Sequence, residues 1–138
     1  LDEYNYGARA YAIRALAAIA DPRALDLLLT SAATDFAPSV RRAAAKGLGT
    51  LHWNQLEPNQ RHSAQTQALQ TLISISQDPD WSIRYAAIVG LQALSTIPDL
   101  TQPILTQFEQ LAQTEADSAV CARVQLATQL QSNHKREG

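Results

Sequence analysis

The sequence has little of what most catalytic and metal centres are built from. It holds one cysteine, Cys121, in 138 residues. That excludes an internal disulfide and fits a reducing, cytoplasmic setting. Its three histidines, His52, His62 and His134, have no partner spacing of the kind a zinc site needs, so no metal is expected. There is no glycine-rich phosphate loop and no Ser–His–Asp set. Charge is scarce as well: charged residues make up 17% and the net charge is −2. No overall field draws nucleic acid or an anionic membrane toward the chain. No apolar run approaches the roughly 18 residues of a membrane span or supplies a signal-peptide core. No run alternates with period two, so strands are not expected.

What is present is helical periodicity. Hydrophobic residues make up 46%, with Gln, Ser and Thr filling the polar positions. Residues 6–20 place Ala12, Ile13, Leu16 and Ile19 on one side. Asp21-Pro22 offers an N-cap followed by a first-turn proline and starts a second helix over 22–33, with Leu25, Leu28 and Leu29 inward. Pro38 begins a third over 38–51, and the polar stretch HWNQLEPNQ interrupts. A fourth spans 59–76, a fifth 80–95 after Asp78-Pro79, a sixth 101–113 and a last one runs from Asp117 to about 131. Pro103 falls in the first turn of the sixth helix on this reading, and the tail NHKREG is expected to fray.

Three of these helices are copies of one another: GARAYAIRAL at 7–16, SVRRAAAKGL at 39–48 and SIRYAAIVGL at 82–91. Arg9, Arg41 and Arg84 each precede a leucine by seven residues, with repeat spacings of 32 and 43. In a weaker fourth copy either Cys121 or Arg123 takes the arginine's place. Two-helix repeats of this length stack into a right-handed α-solenoid, because each pair borrows its neighbour's apolar face. The expected fold is therefore all-α, a single HEAT-like repeat domain over 1–138. The first helix reads as the second of a pair, so we expect this to be the C-terminal part of a longer chain, with an apolar surface that a partner covers. The recurring arginines suit a structural role, an ion pair or carbonyl contact between neighbouring repeats.

The runs NYGARAYAIRALAAIADPRALDLLL, DFAPSVRRAAAKGLGTLHW and DPDWSIRYAAIVGLQAL resemble the F (beta) subunits of the E/F-type phycobilin lyases, over about residues 4–130. The resemblance implies a heterodimer with an E-type subunit. Such a pair attaches phycocyanobilin through a thioether to a cysteine of the phycocyanin alpha subunit, and also detaches or transfers it. It implies phycocyanobilin as a substrate, with no permanently bound cofactor. An isomerising relative carries an adjacent His-Cys pair; here His52 is followed by Trp53 and Cys121 is preceded by Val120, which favours the non-isomerising subtype. A non-catalytic adaptor for phycobilisome assembly or degradation is the alternative.

The candidate surface follows from helical spacing. Trp81, Tyr85 and Val89 are four apart and form one stripe. Its counterparts are Pro38, Arg42 and Lys46, then Tyr6, Ala10 and Arg14 with Tyr11 beside them. Second helices of stacked pairs line the concave side, so Tyr6, Tyr11, Arg14, Arg42, Lys46, Trp81 and Tyr85 are expected on one surface. Aromatic faces and cations suit a conjugated ligand with two propionates; Tyr, Trp and Arg equally suit a protein interface. Both occupants remain open for this stripe. His52 and Trp53, at the mouth of the insertion, are further candidates for the same contact. Asp80 is a weak catalytic candidate, able to move a proton only if its pKa were raised. Cys121 is expected to be a small buried residue.

Overall fold

The computed structural model describes residues 5–137, with side chains through 133. Among the described residues the chain forms seven α-helices and no strand: α1 (Tyr6–Ile19), α2 (Leu25–Thr34), α3 (Pro38–Leu48), α4 (Pro58–Ile75), α5 (Trp81–Leu94), α6 (Pro98–Thr114) and α7 (Ser118–Glu137). A short 3-10 turn leads into α2 and another, Trp53–Gln55, lies within the insertion. Proline opens α3, α4 and α6, where its missing N–H costs nothing. Asp21 and Asp80 accept backbone N–H groups two residues on, and Asp117 accepts from Ala119 and Val120. These are the donors a helix start leaves unsatisfied.

The helices stack in two layers. α1 packs on α3, α3 on α5 and α5 on α7, while α2, α4 and α6 lie behind, each against the helix that follows it. The core runs continuously through Ile13, Leu28, Val40, Leu48, Leu72, Ile83, Leu91, Ile104, Phe108, Val120 and Val124. α5 is enclosed by α3, α4, α6 and α7. It buries Ala86 and Ile88 as well as Ile83, Ala87, Leu91 and Leu94.

Backbones approach closely where α3 meets α5. A Cβ added to Gly90 would sit 2.5 Å from the Ala45 carbonyl oxygen, and one added to Gly49 would sit 2.4 Å from the Gly90 oxygen. Only glycine permits that approach. Two polar pairs link the end of α4 to α6 and the end of α5 to α7. Gln107 Nε2 donates to Ser76 Oγ at 3.0 Å, and Ser95 Oγ lies 2.8 Å from Gln131 Oε1. Such buried groups need partners.

Several boundaries and faces differ from the sequence expectation. Ala12 and Ile19 point outward on α1, and Ile13 alone of the four expected residues is fully buried. α6 starts three residues earlier than expected, at Pro98, so Pro103 lies inside the helix rather than in its first turn. α7 continues to Glu137, through the segment expected to fray. Exposed Tyr6, Tyr11, Ile19, Leu27 and Phe36 all belong to α1, α2 and the loop after it. No described helix is long and apolar enough to cross a membrane.

Candidate functional site

The repeated arginines each pair with an acid at the start of the next second helix. Arg9 makes two hydrogen bonds to Asp35, at 3.1 and 3.0 Å. Arg41 reaches Asp78 at 2.7 Å and also donates to the Ala32 carbonyl. Arg84 clasps both oxygens of Glu115, at 2.9 and 2.8 Å, and donates to the carbonyls of Asp78 and Pro79. Each acid stands three residues before the first residue of the next second helix, α3, α5 or α7. Each also accepts the backbone N–H two residues on. One carboxylate thus shapes the turn into its own repeat and anchors the repeat before it. The arginine's hydrogen bonds are the main cause that holds the carboxyls of Asp35 and Glu115 below their ordinary values. In the fourth copy Cys121 occupies the arginine's position, half-buried, its Sγ 3.2 Å from the Glu115 carbonyl oxygen. Arg123 instead hydrogen-bonds Gln92.

One residue further along α3 and α5, Arg42 and Tyr85 turn to the open face, whereas Ala10 of α1 is buried in the core. Two grooves cross the layer of second helices. The first, about 520 Å³, lies between α1 and α3 and reaches Val89 and Ala93 of α5; its polar wall is Arg14, Ser39, Arg42, Lys46 and Thr50. The second, about 710 Å³, lies between α3 and α5 and touches Ala119 of α7; Trp81, Tyr85, Asp80 and Ser82 face Arg42 and Lys46 across it. Both volumes fall in the range of small-molecule sites. Arg42 and Lys46 belong to both grooves and form the ridge between them.

Of the seven residues expected on one surface, the structure places five along the two adjoining grooves: Arg14, Arg42, Lys46, Trp81 and Tyr85. Trp81 is 49% exposed, but Tyr85 is half-buried and packs against the core. Tyr6 and Tyr11 lie exposed at the α1 edge and line neither groove. His52 and Trp53 also stand apart. The His52 N–H donates to the Ala20 carbonyl, and Trp53 is half-buried with its own carbonyl accepting from Arg61. The side chain of His134 lies outside the described residues. Sequence reasoning missed Ser82, which lines the second groove; the signal was the Asp80-Trp81-Ser82 helix start, where a hydroxyl two residues after the cap faces the same side as the cap.

Asp80 is placed to hold charge rather than to move a proton. Its Oδ1 accepts the Ser82 N–H at 2.8 Å and the Ser82 hydroxyl at 2.7 Å. Those two bonds, aided by the charge of Arg42, keep its carboxyl below the ordinary range. That is opposite to the raised value a proton donor needs, so Asp80 is corrected to a fixed negative charge. Among the described residues, no group of three or more His, Cys, Asp and Glu side chains could hold a metal ion.

The comparisons with known proteins agree with this architecture. The HEAT-repeat family model matches residues 1–61 and 30–127. A solved structure of the complex of CpcE and CpcF of phycocyanin lyase from Nostoc sp. PCC7120 contains a chain 65% identical, with a TM-score of 0.89 over 92% of this chain and 75% of that one. The chain belongs to the HEAT-repeat phycocyanobilin lyase beta subunits. Within that family, it is 65% identical over 127 residues to the phycocyanobilin lyase subunit beta of Nostoc sp. (strain PCC 7120). It is 46% identical over 125 residues to the phycocyanin alpha phycocyanobilin lyase CpcF of Synechocystis sp. (strain PCC 6803). These alignments cover 92% and 90% of this chain but 64% and 58% of the relatives, so the chain spans less than two thirds of their length.

Proposed function

We propose that this chain serves as the beta subunit of a heterodimeric lyase. Paired with an E-type subunit, it would attach phycocyanobilin to a cysteine of the phycocyanin alpha subunit, and detach or transfer it. The observation that carries this reading is the cationic and aromatic face shared by the two grooves, on a scaffold whose relatives bear that activity in their names. In the attachment step the acceptor's thiol adds across a carbon–carbon double bond of the pigment. An S–C bond forms, the thiol proton is taken up by the pigment, and nothing leaves. The nucleophile belongs to the acceptor, so the subunit needs none of its own. Cys121, tucked against the Glu115 carbonyl and lining neither groove, suits that division of labour.

The subtype we infer is the non-isomerising one, since neither His52 nor Cys121 has the other type beside it in sequence. The exposed apolar side chains of α1 and α2 supply the kind of surface a partnered protein covers. The test is reconstitution. The chain, an E-type subunit, phycocyanobilin and apo-phycocyanin alpha subunit are mixed and run on a denaturing gel stained with zinc. A fluorescent alpha-subunit band that requires both lyase subunits is the expected result. A band that does not depend on this chain would overturn the reading in favour of a non-catalytic adaptor.

A further inference from the structure

The charges on this molecule are unevenly placed. The chain carries a net charge of −2, yet the groove walls hold three cations, Arg14, Arg42 and Lys46, against one acid, Asp80. That acid is already engaged. Arg42 Nη1 donates to Ser82 Oγ at 3.1 Å, and the same hydroxyl donates to Asp80 Oδ1 at 2.7 Å. The guanidinium is thereby drawn from α3 to the start of α5 and fixed in orientation, with one of its five N–H donors committed there. Lys46 stands one turn further along α3, exposed and on the same face. Across the groove are the rings of Trp81 and Tyr85.

We propose that Arg42 and Lys46 form a two-pronged carboxylate fork on the ridge between the grooves. It holds the two propionates of phycocyanobilin while Trp81 and Tyr85 lie against pyrrole rings. Asp80 and Ser82 act as positioning residues that set the angle of Arg42. This rests on the function proposed above and adds which part of the pigment this chain grips. An open-chain tetrapyrrole carries its propionates on the two central rings, so a fork of two cations about one helical turn apart matches a pair of acids on neighbouring rings. A planar guanidinium takes a carboxylate with two parallel hydrogen bonds, and an ammonium takes the second as a point charge. Gripping the middle of the pigment leaves its reactive end ring free to meet the acceptor's thiol.

The test uses the reconstituted complex with its E-type subunit and two probes, phycocyanobilin and its dimethyl ester, in which both propionates are masked. Binding is followed by the pigment's absorbance. The unaltered complex is expected to bind the acid at least about tenfold more tightly than the ester. The Arg42→Gln, Lys46→Gln double variant is expected to lose that preference and bind both forms alike. Lys46→Gln alone, at an exposed position that bears no packing, is expected to lose part of it, and Ser82→Ala to lose about threefold for the acid and nothing for the ester. A double variant that keeps the full preference overturns the fork. So does one that binds phycocyanobilin normally but no longer binds apo-phycocyanin alpha subunit, which would make the ridge a protein-docking surface. No binding of either probe, in a complex that still transfers pigment, overturns the fork alone; loss of transfer by the unaltered complex overturns the function on which it rests.

Discussion

Arg41 and Arg42 are neighbours in sequence and opposites in role. About 100° of helical turn separates them. Arg41 points between repeats, into an ion pair with Asp78 whose two side chains are 18% and 13% exposed. Arg42 points to the open face and spends one donor on Ser82. The same split recurs at Arg84 and Tyr85: the first is fixed on Glu115, the second lines a groove. From α3 to α5 arginine is retained in register where it joins repeats and gives way to an aromatic at the next position, which lines a groove in both helices. The joining of repeats and the lining of the groove are thus written on adjacent positions of one helix.

The split can be broken most severely at Arg84. Its partner Glu115 is 3% exposed, and removing one member of so buried a pair leaves an uncompensated charge. Arg84→Ala should cost about 2–3 kcal/mol, reduced from the fully buried case because the arginine itself is partly solvated. Thermal melts should fall by about 10 °C, and an unchanged melt would remove the inter-repeat role. Arg41→Ala should follow at about 2 kcal/mol, against less than about 1 kcal/mol for Arg42→Ala. Equal losses at these two positions would erase the contrast.

Acid should act on the same contacts. The folded-state values of Asp35 and Glu115 are depressed, so the stability they confer is complete above their ordinary values of 3.8 and 4.5. It is lost as pH falls through the lower folded values. The penalty of Arg84→Ala, measured by urea titration, should therefore be largest near neutrality and shrink below about pH 4. A penalty independent of pH would show that packing, not charge, holds the turn.

The gentlest test is on the groove. Trp81→Ala should change stability by no more than about 0.5 kcal/mol while slowing pigment transfer. Tyr85→Ala should slow transfer too, but at a cost of about 1–2 kcal/mol, because that ring also packs on the core. Stability and transfer rates measured on both variants check this. Transfer unaffected in the Trp81 variant would move recognition elsewhere.

Much of this was legible in the chain itself. The three copies gave the stacking, and Asp21, Pro38 and Asp117 marked helix starts because caps and first-turn prolines act locally; at the fifth helix the expected Asp78-Pro79 signal lies two residues before the actual cap, Asp80. On α3 and α5 the shared face of residues four apart was legible, because helical spacing sets it; on α1 it was not, since Ala10 is buried in the core and Tyr6 lines neither groove. What failed depended on neighbours. Alanine-rich α1 has no sequence-marked face, so Ala12 and Ile19 were turned the wrong way. Tyr85 is covered more than its stripe implies because α5 is surrounded by four other helices. His52 and Trp53 were placed by closeness in sequence to the repeats, yet the insertion carries them away from the grooves. The acids Asp35, Asp78 and Glu115 share a register with the arginines, but that pairing appears only once the repeats are stacked.

The glycine contact between α3 and α5 sets a pivot. Where Gly49, Gly90 and Ala45 bring backbone onto backbone, the helices have no side-chain layer between them, and any tilt of α5 against α3 would have to turn about that point. Trp81 lies nine residues from Gly90, a lever arm of about 13 Å at 1.5 Å per residue. A rotation of about 5° would displace Trp81 by about 1.2 Å while scarcely disturbing the contact itself. The Arg41–Asp78 ion pair and the Arg42–Ser82 hydrogen bond tie that same end of α5 back to α3, so the aromatic rim is a clasp fastened at both ends rather than a free lever.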